Sequence, residues 1–174
     1  MESQRVDYYG KFKSLDDWIE TIQVKFSTLS LINIEKKIAE VLNVSDESEI
    51  IKIREASIVA YGRQHNVLTF EDACNKLKIT SQIPNDIGIR IENIARYKLS
   101  IICEVLNDGW VPNWNDSAQL KYFPWFNMGG GFSSYLTVYS NTITNVPSAL
   151  YLKTKDMSYY MGNHYLSLYK DFLG

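Results

Sequence analysis

Residues 94–126, IARYKLSIICEVLNDGWVPNWNDSAQLKYFPWF, decide the fold. In the first half of this stretch, apolar residues recur at the three- and four-residue spacing of an amphipathic helix. Gly109 is placed to end that helix. The second half holds three of the four tryptophans and two of the four prolines of the chain. Bulky rings on a proline-bent loop predict that the chain folds back here, at a joint between a helical front half and a β-containing back half.

The helix of this stretch is predicted to be the centre of the core. It is expected to open at Ile83-Pro84-Asn85-Asp86, because proline suits the first turn of a helix, where its missing N–H has no partner anyway. From there an apolar stripe continues to Leu106, and Gly109 follows. The rings after Gly109 are predicted to join a small sheet to this helix.

The N-terminal half is predicted to be helical as well. Apolar spacing favours helices over residues 15–26, over residues 34–43 with Asn33 as N-cap, and from Ser45–Ser48 to Gly62, followed by a loop over 62–66. Thr69 and Asp72 then have the spacing of a capping box at the start of FEDACNKLKI.

The C-terminal half is predicted to contain strands and one final helix. β-propensity indicates strands over LKYFPWFNM, FSSYLTVYS and ALYLKT, with Pro124 at an edge or a bulge and Gly129-Gly130-Gly131 in a hairpin connection. Thr154 is predicted to cap the last helix, over residues 155–172, in which Gly162 either weakens the helix or marks a close approach to another backbone. The predicted class is α+β: a helical N-terminal half packed with a small three-stranded antiparallel sheet and a C-terminal helix. The boundaries are 1–66 and 67–174, with one shared core.

Composition restricts the class of protein further. The 174 residues are 45% hydrophobic, enough for a core without metal or disulfides. The net charge of −2 argues against a strong binder of phosphate backbones, which usually carries a basic surplus. No stretch of 18 apolar residues occurs and the polar N-terminus lacks a secretory signal, so the sequence predicts an intracellular protein outside the membrane.

The residues that most often carry chemistry do not form a known motif. His65 and His164 stand apart from any metal-ligand spacing, and Cys74 and Cys103 fall on inward helical faces, where thiols are usually inert. The GGGFSS segment lacks the lysine of a phosphate-binding loop. We therefore predict no catalytic residue, no metal and no cofactor, with the enzyme question left open.

An aromatic-rich set around the fold-back is the best candidate for a binding site. Such rings build interaction hot spots and stacking platforms, although they can equally close the core between helix and sheet. An aspartate among them can hold a sugar or a cation, or can cap the turn that NDSAQ begins. The candidate binding residues are Trp110, Trp114, Asp116, Tyr122 and Trp125.

Residues 67–173 resemble a family of small uncharacterised proteins of tailed phages and prophages of gut bacteria, crAss-like phages included. The pieces that carry the resemblance are LTFEDACNKLKI, residues 94–128, a glycine-rich link with GF, and LYLKTKDMSYYMGNHYLSLYKDFL. Asp156 stands where relatives tend to have glutamate. The resemblance implies a phage-encoded accessory protein in the infected host's cytoplasm or in the virion, and implies no activity.

Two functions are compatible with these observations. The first is a non-enzymatic interaction protein that binds a host or phage protein, as a virion component or as a modulator of a host system. The alternative is a single-stranded nucleic-acid-binding module, with bases stacked on tryptophans and with Lys121, Lys98 and Arg96 supplying charge. Self-association is left open.

Overall fold

The computed structural model of this chain describes residues 19, 21, 29–83 and 88–174. The chain divides into two compact units, residues 1–64 and residues 65–174, and each is described by itself. The helices are α1 (Leu31–Val41), α2 (Glu47–His65), α3 (Phe70–Leu77), α4 (Ile91–Asn107), α5 (Lys155–His164) and α6 (Leu166–Leu173); the strands are β1 (Lys121–Asn127) and β2 (Ser133–Ser140), and a 3-10 turn spans Ser148–Leu150.

The first unit is built on α1 and α2, whose inward faces share one apolar cluster. The members of the cluster are Ile19, Ile34, Ile38, Leu42, Ile53, Ala56 and Ala60. Asp46 caps α2 by accepting from the backbone N–H groups of Ser48 (2.9 Å) and Glu49 (3.3 Å). Hydrogen bonds from the Ser48 hydroxyl and from these two amides hold the pKa of Asp46 below its ordinary value.

Two expectations in this unit need correction. The residue before α1 is Ser30, and Asn33 lies inside the helix and does not cap it. Helix α2 does not end at Gly62 but continues to His65, so residues 63–65 are helical. Gly62 is buried in the helix. The left-handed backbone that was expected of a terminating glycine is adopted by Asn66 instead, with φ 49. Of the helix predicted over 15–26, Ile19 and Thr21 are helical and the remainder lies outside the described residues.

Local signals in the second unit place the start of α3 and the end of α4 correctly. Thr69 and Asp72 form the predicted capping box, with Asp72 N donating to Thr69 Oγ1 (3.1 Å) and Thr69 N donating to Asp72 Oδ2 (2.8 Å). Helix α4 ends at Asn107, and its C-cap Asp108 is left-handed, as is Gly109 after it. Its start was predicted too early: α4 begins at Ile91, and residues 84–87 lie outside the described part of the chain.

The sheet has two antiparallel strands, and a third strand is not present in the described residues. Strand β1 pairs with β2 from Lys121↔Ser140 onward, with a bulge between Trp125 and Phe126. The predicted strand 149–154 is instead part of the 3-10 turn followed by a single bridge, in which Leu152 pairs with Tyr122. The 3-10 turn buries Leu150, and this curvature prevents extended pairing along β1.

The final helix is split. Thr154 caps α5 as predicted, accepting from Met157 N (3.2 Å), but the helix breaks at Tyr165 and continues as α6. Three side chains around the break hold the backbone of residues 67–68. The hydroxyls of Tyr160 and Tyr165 donate to Val67 O, and His164 Nε2 donates to Leu68 O (2.7 Å). These long-range bonds position the chain at the break.

The sheet packs mainly on α5, and this corrects the expectation that it packs on the long helix α4. Helix α4 instead packs against α3, α6 and the 3-10 turn. Gly162 lies close to the sheet, which favours the second of the two interpretations of this glycine: a Cβ built there would lie 2.7 Å from Pro124 Cβ and 2.9 Å from Ser134 Oγ, both side-chain atoms. The buried core around α4 includes Ala95, Leu99, Ile102, Cys103, Leu106, Tyr151, Tyr160, Met161 and Tyr169.

Candidate functional site

An open apolar groove of about 490 Å³ lies in the second unit, between β1, the segment before the 3-10 turn, and α6. It is lined by Phe123, Pro124, Trp125, Phe126, Met128, Asn145, Val146, Leu150, Tyr169, Phe172 and Leu173. The volume falls in the range of sites that accept a ligand or a few side chains.

Aromatic packing fixes the floor of this groove. Phe126 stacks on Phe132 with ring centroids 5.0 Å apart and packs against the buried ring of Tyr169 at 4.7 Å. Phe123 packs edge-on against Tyr151 at 5.1 Å. The bulge between Trp125 and Phe126 changes the register at this point of β1. The extra residue of the bulge is Tyr135 of β2, and the β1 residues opposite it, Trp125 and Phe126, both line the groove.

Three large apolar side chains of the lining are exposed. Trp125 is 50% exposed, Met128 57% and Leu173 44%. Within the described residues, the indole of Trp125 makes no ring contact with another aromatic side chain. Exposed apolar side chains that line one groove are the usual mark of an interaction site. The ring of Trp125 is therefore available to a partner.

The groove has almost no polar chemistry. None of its lining residues carries a charge, and Asn145 contributes the single amide side chain. Burial raises the pKa of Tyr169 well above its ordinary value, so this hydroxyl stays neutral, and it has no hydrogen-bond partner in the described part of the chain. The groove can therefore hold apolar groups, and among the described residues its lining has no charged side chain.

Trp114 and Asp116 belong to a separate, structural arrangement. The Nζ of the fully buried Lys121 donates to Gln119 O (2.6 Å) and Asp116 O (3.2 Å) and lies 5.4 Å from the centre of the Trp114 ring. Trp114 is half-buried and packs edge-on against Tyr151 at 5.2 Å. The Asp116 carboxylate accepts from Ala118 N (2.9 Å) and Gln119 N (3.3 Å), so it caps the turn.

The remaining candidates are also outside the groove lining. Trp110 is half-buried just after α4, and its backbone N–H donates to Asn107 O (2.9 Å). Tyr122 lies on β1, where its ring packs against Tyr139 with centroids 6.3 Å apart. Of the five residues singled out from the sequence, the groove includes only Trp125.

Two parts of the groove lining, α6 and the segment after β2, were not predicted from the sequence. Phe172 falls at the end of the predicted final helix, and neither Leu173 nor Val146 is among the candidate binding residues. The apolar character of Phe172 and Leu173 is visible in the sequence, but their partners across the groove are set by tertiary packing.

The other chemistry-bearing residues lie outside the groove. Cys74 and Cys103 are free and fully buried, and burial raises the pKa of the Cys103 thiol to about 12. Burial is the main cause that lowers the pKa of His65, and the nearby positive charge of Lys76 lowers it further. No group of three or more His, Cys, Asp or Glu with the geometry of a metal site occurs among the residues that the structure describes. In the same residues, no helix has the length and apolar character to cross a membrane.

Fold and groove together define an α+β chain with an apolar groove that aromatic side chains line. Compared with protein-family models, with curated proteins and with solved structures, the chain matches none.

Proposed function

We propose that this chain is a non-enzymatic interaction protein, and that it binds an apolar segment of a protein partner in the groove beside Trp125. One observation carries the proposal: a groove of about 490 Å³ without a charged lining residue has a half-exposed tryptophan beside it. Tryptophan is enriched among the residues that dominate the energy of protein interfaces.

The chemistry of the lining favours a protein partner over a small polar ligand. Small-molecule sites place several convergent polar groups to fix the orientation of the ligand. In this groove the side chain of Asn145 is the one amide, and the hydroxyl of Tyr169 is buried. Apolar side chains presented by a partner's helix or loop need no such groups, because burial of apolar area supplies the binding energy.

The nucleic-acid alternative has less support. Binding of single strands combines stacking rings with a positively charged groove. Lys121 is fully buried and committed to two carbonyl groups, and the Nζ of Lys98 lies 5.4 Å from the centre of the Phe70 ring. A groove without lysine or arginine gives a phosphate backbone nothing to bind.

The resemblance to phage proteins suggests the setting of the proposed interaction. In that setting the chain is a phage-encoded accessory protein, either a virion component or a modulator of a host system, and its partner is a host or phage protein. The groove chemistry is independent of this setting, so the two parts of the proposal can fail separately.

Selection from a random peptide library tests the proposal. The wild-type chain is the target, and the Trp125→Ala variant removes peptides that bind elsewhere. We expect the selected peptides to share aromatic or aliphatic anchors and to bind at least about tenfold more weakly to Trp125→Ala. The control, Val111→Ala, changes an exposed loop residue outside the groove and should bind normally.

Two outcomes would contradict the proposal. One is a selection in which no peptide distinguishes the wild-type chain from Trp125→Ala. The other is salt-sensitive binding of a single-stranded oligo(dT) probe at low ionic strength that Trp125→Ala abolishes, since that result favours the stacking alternative.

A further inference from the structure

The two outer edges of the small sheet differ in their free hydrogen-bonding groups. On the outer edge of β1, Tyr122 N donates to Leu152 O (2.9 Å) and Leu152 N donates to Tyr122 O (2.8 Å). Two residues further on, Pro124 has no N–H to offer. Proline and a short bridging segment are among the devices that protect sheet edges from further pairing. The edge of β1 is therefore closed to another strand along this part.

The same bonds determine which groups of β2 point outward. Since both backbone groups of Tyr122 point to Leu152, the Tyr122↔Tyr139 pair is one without hydrogen bonds between β1 and β2. The pairs of an antiparallel ladder alternate, so Pro124↔Thr137 is of the same kind. The N–H and C=O groups of Thr137 and Tyr139 therefore point away from β1, and in the described part of the chain no hydrogen bond satisfies them.

The sequence of β2 contains none of the residues that usually protect an open edge. SSYLTVYS has no charged residue, no proline and no glycine. The bulge lies in β2 itself: Leu136 pairs with Trp125 and Ser134 pairs with Phe126, so Tyr135 is the extra residue without a partner in β1. The regular part of the open edge is therefore residues 136–140, which pair with β1 without interruption. Tyr135 and Tyr139 are 68% and 61% exposed. An exposed, neutral edge strand rich in β-formers is a template for pairing with another strand.

We propose that β2 pairs antiparallel with β2 of a second copy of this chain, which gives a two-fold dimer with a four-stranded sheet. The outward groups of Thr137 and Tyr139 complement those of their own antiparallel copy. Because the strand is neutral, self-pairing brings no like charges together. Each copy has one open edge and one closed edge, so assembly stops at two copies and does not continue into a fibre.

Analytical ultracentrifugation over a wide concentration range, combined with amide hydrogen exchange, tests this inference. We expect a reversible dimer, with the amides of Thr137 and Tyr139 protected only at concentrations where the dimer forms. The amide of Val138 belongs to the hydrogen-bonded pair with Phe123 and should be protected at every concentration.

The variant Tyr135→Lys adds a charge to the open strand at an exposed position, and Val111→Lys adds the same charge in an exposed loop. We expect Tyr135→Lys to weaken dimerisation at least about tenfold and Val111→Lys to leave it unchanged. A monomer at every concentration would overturn the inference. So would a dimer in which the Thr137 and Tyr139 amides exchange freely, because its interface would lie elsewhere.

Discussion

The side chain of Asn107 hydrogen-bonds the backbone around Tyr151 with both of its polar atoms. Nδ2 donates to Tyr151 O (2.8 Å), and Oδ1 accepts from Lys153 N (2.9 Å). Asn107 is buried at the end of α4, so this one amide side chain connects the central helix to the segment that bridges to β1. These two hydrogen bonds satisfy backbone groups of Tyr151 and Lys153 that a third strand would have paired with a neighbouring strand.

Truncation of this amide should therefore be costly. We expect Asn107→Ala to lower the free energy of unfolding by about 2 kcal/mol, because it leaves Tyr151 O and Lys153 N without partners. Chemical denaturation of the variant measures the loss. Asn115→Ala, at an exposed asparagine, is the matched control and should change stability by less than about 0.5 kcal/mol. Equal effects of the two substitutions would exclude the connecting role.

The contact of Gly162 with the sheet gives a second prediction. A methyl group there would meet Pro124 Cβ at 2.7 Å and Ser134 Oγ at 2.9 Å, so α5 and the sheet would have to separate. We expect Gly162→Ala to destabilise the fold by about 1–3 kcal/mol, although alanine is the better helix former. Gly129→Ala is the control, since its Cβ would meet nothing nearer than 3.9 Å. A more stable Gly162→Ala variant would show that the close packing is not present.

The buried hydroxyls of two tyrosines should respond in opposite ways to removal. Tyr169 Oη has no hydrogen-bond partner in the described part of the chain, whereas the hydroxyl of Tyr160 donates to Val67 O. We expect Tyr169→Phe to be neutral or to stabilise the fold by up to about 1 kcal/mol, and Tyr160→Phe to cost about 1–2 kcal/mol. Thermal unfolding of both variants checks this. A loss at Tyr169 as large as that at Tyr160 would reveal a partner for its hydroxyl.

The capping box at Thr69 predicts a dependence of stability on pH. Desolvation raises the pKa of Asp72, but the backbone amides of Thr69 and Leu68 and the Thr69 hydroxyl lower it by more, so the net pKa lies below the ordinary value of 3.8. A carboxyl with a depressed folded-state pKa stabilises the fold above its unfolded pKa, and this contribution is lost as pH falls through the folded one.

The difference in stability between the wild-type chain and Asp72→Asn measures this contribution. We expect the wild type to be the more stable near neutral pH and the difference to shrink as pH falls below about 4. Glu71→Gln is the control at the neighbouring position of the same helix turn and should show a smaller change. A difference that stays constant across this pH range would mean that the Asp72 charge does not stabilise α3.

The features predicted correctly depend on a few neighbouring residues. Thr69 with Asp72, Thr154 with Met157, and the left-handed end of α4 each involve groups within one helical turn. Pro124 was restricted to an edge or a bulge by its missing N–H, and it lies on the closed edge of β1 next to the bulge.

The features predicted wrongly depend on residues far apart in the chain. Gly62 is a reasonable helix end by local chemistry, yet it is buried within α2. Residues 149–154 have the composition of a strand, but Asn107 and the burial of Leu150 select a turn. The candidate site divides in the same way: nothing in the sequence distinguishes Trp114 from Trp125, and only the fold packs Trp114 against Lys121 and Tyr151 and leaves Trp125 exposed.

The most direct test of the proposed binding groove compares these two tryptophans. A peptide selected against the wild-type chain is titrated calorimetrically into Trp125→Ala and Trp114→Ala, and the melting temperature of each variant is recorded. We expect Trp125→Ala to lose at least about tenfold in affinity with little change in melting temperature, and Trp114→Ala to melt at a clearly lower temperature because it loses its packing on Tyr151. Full affinity in Trp125→Ala would contradict the groove as the binding site.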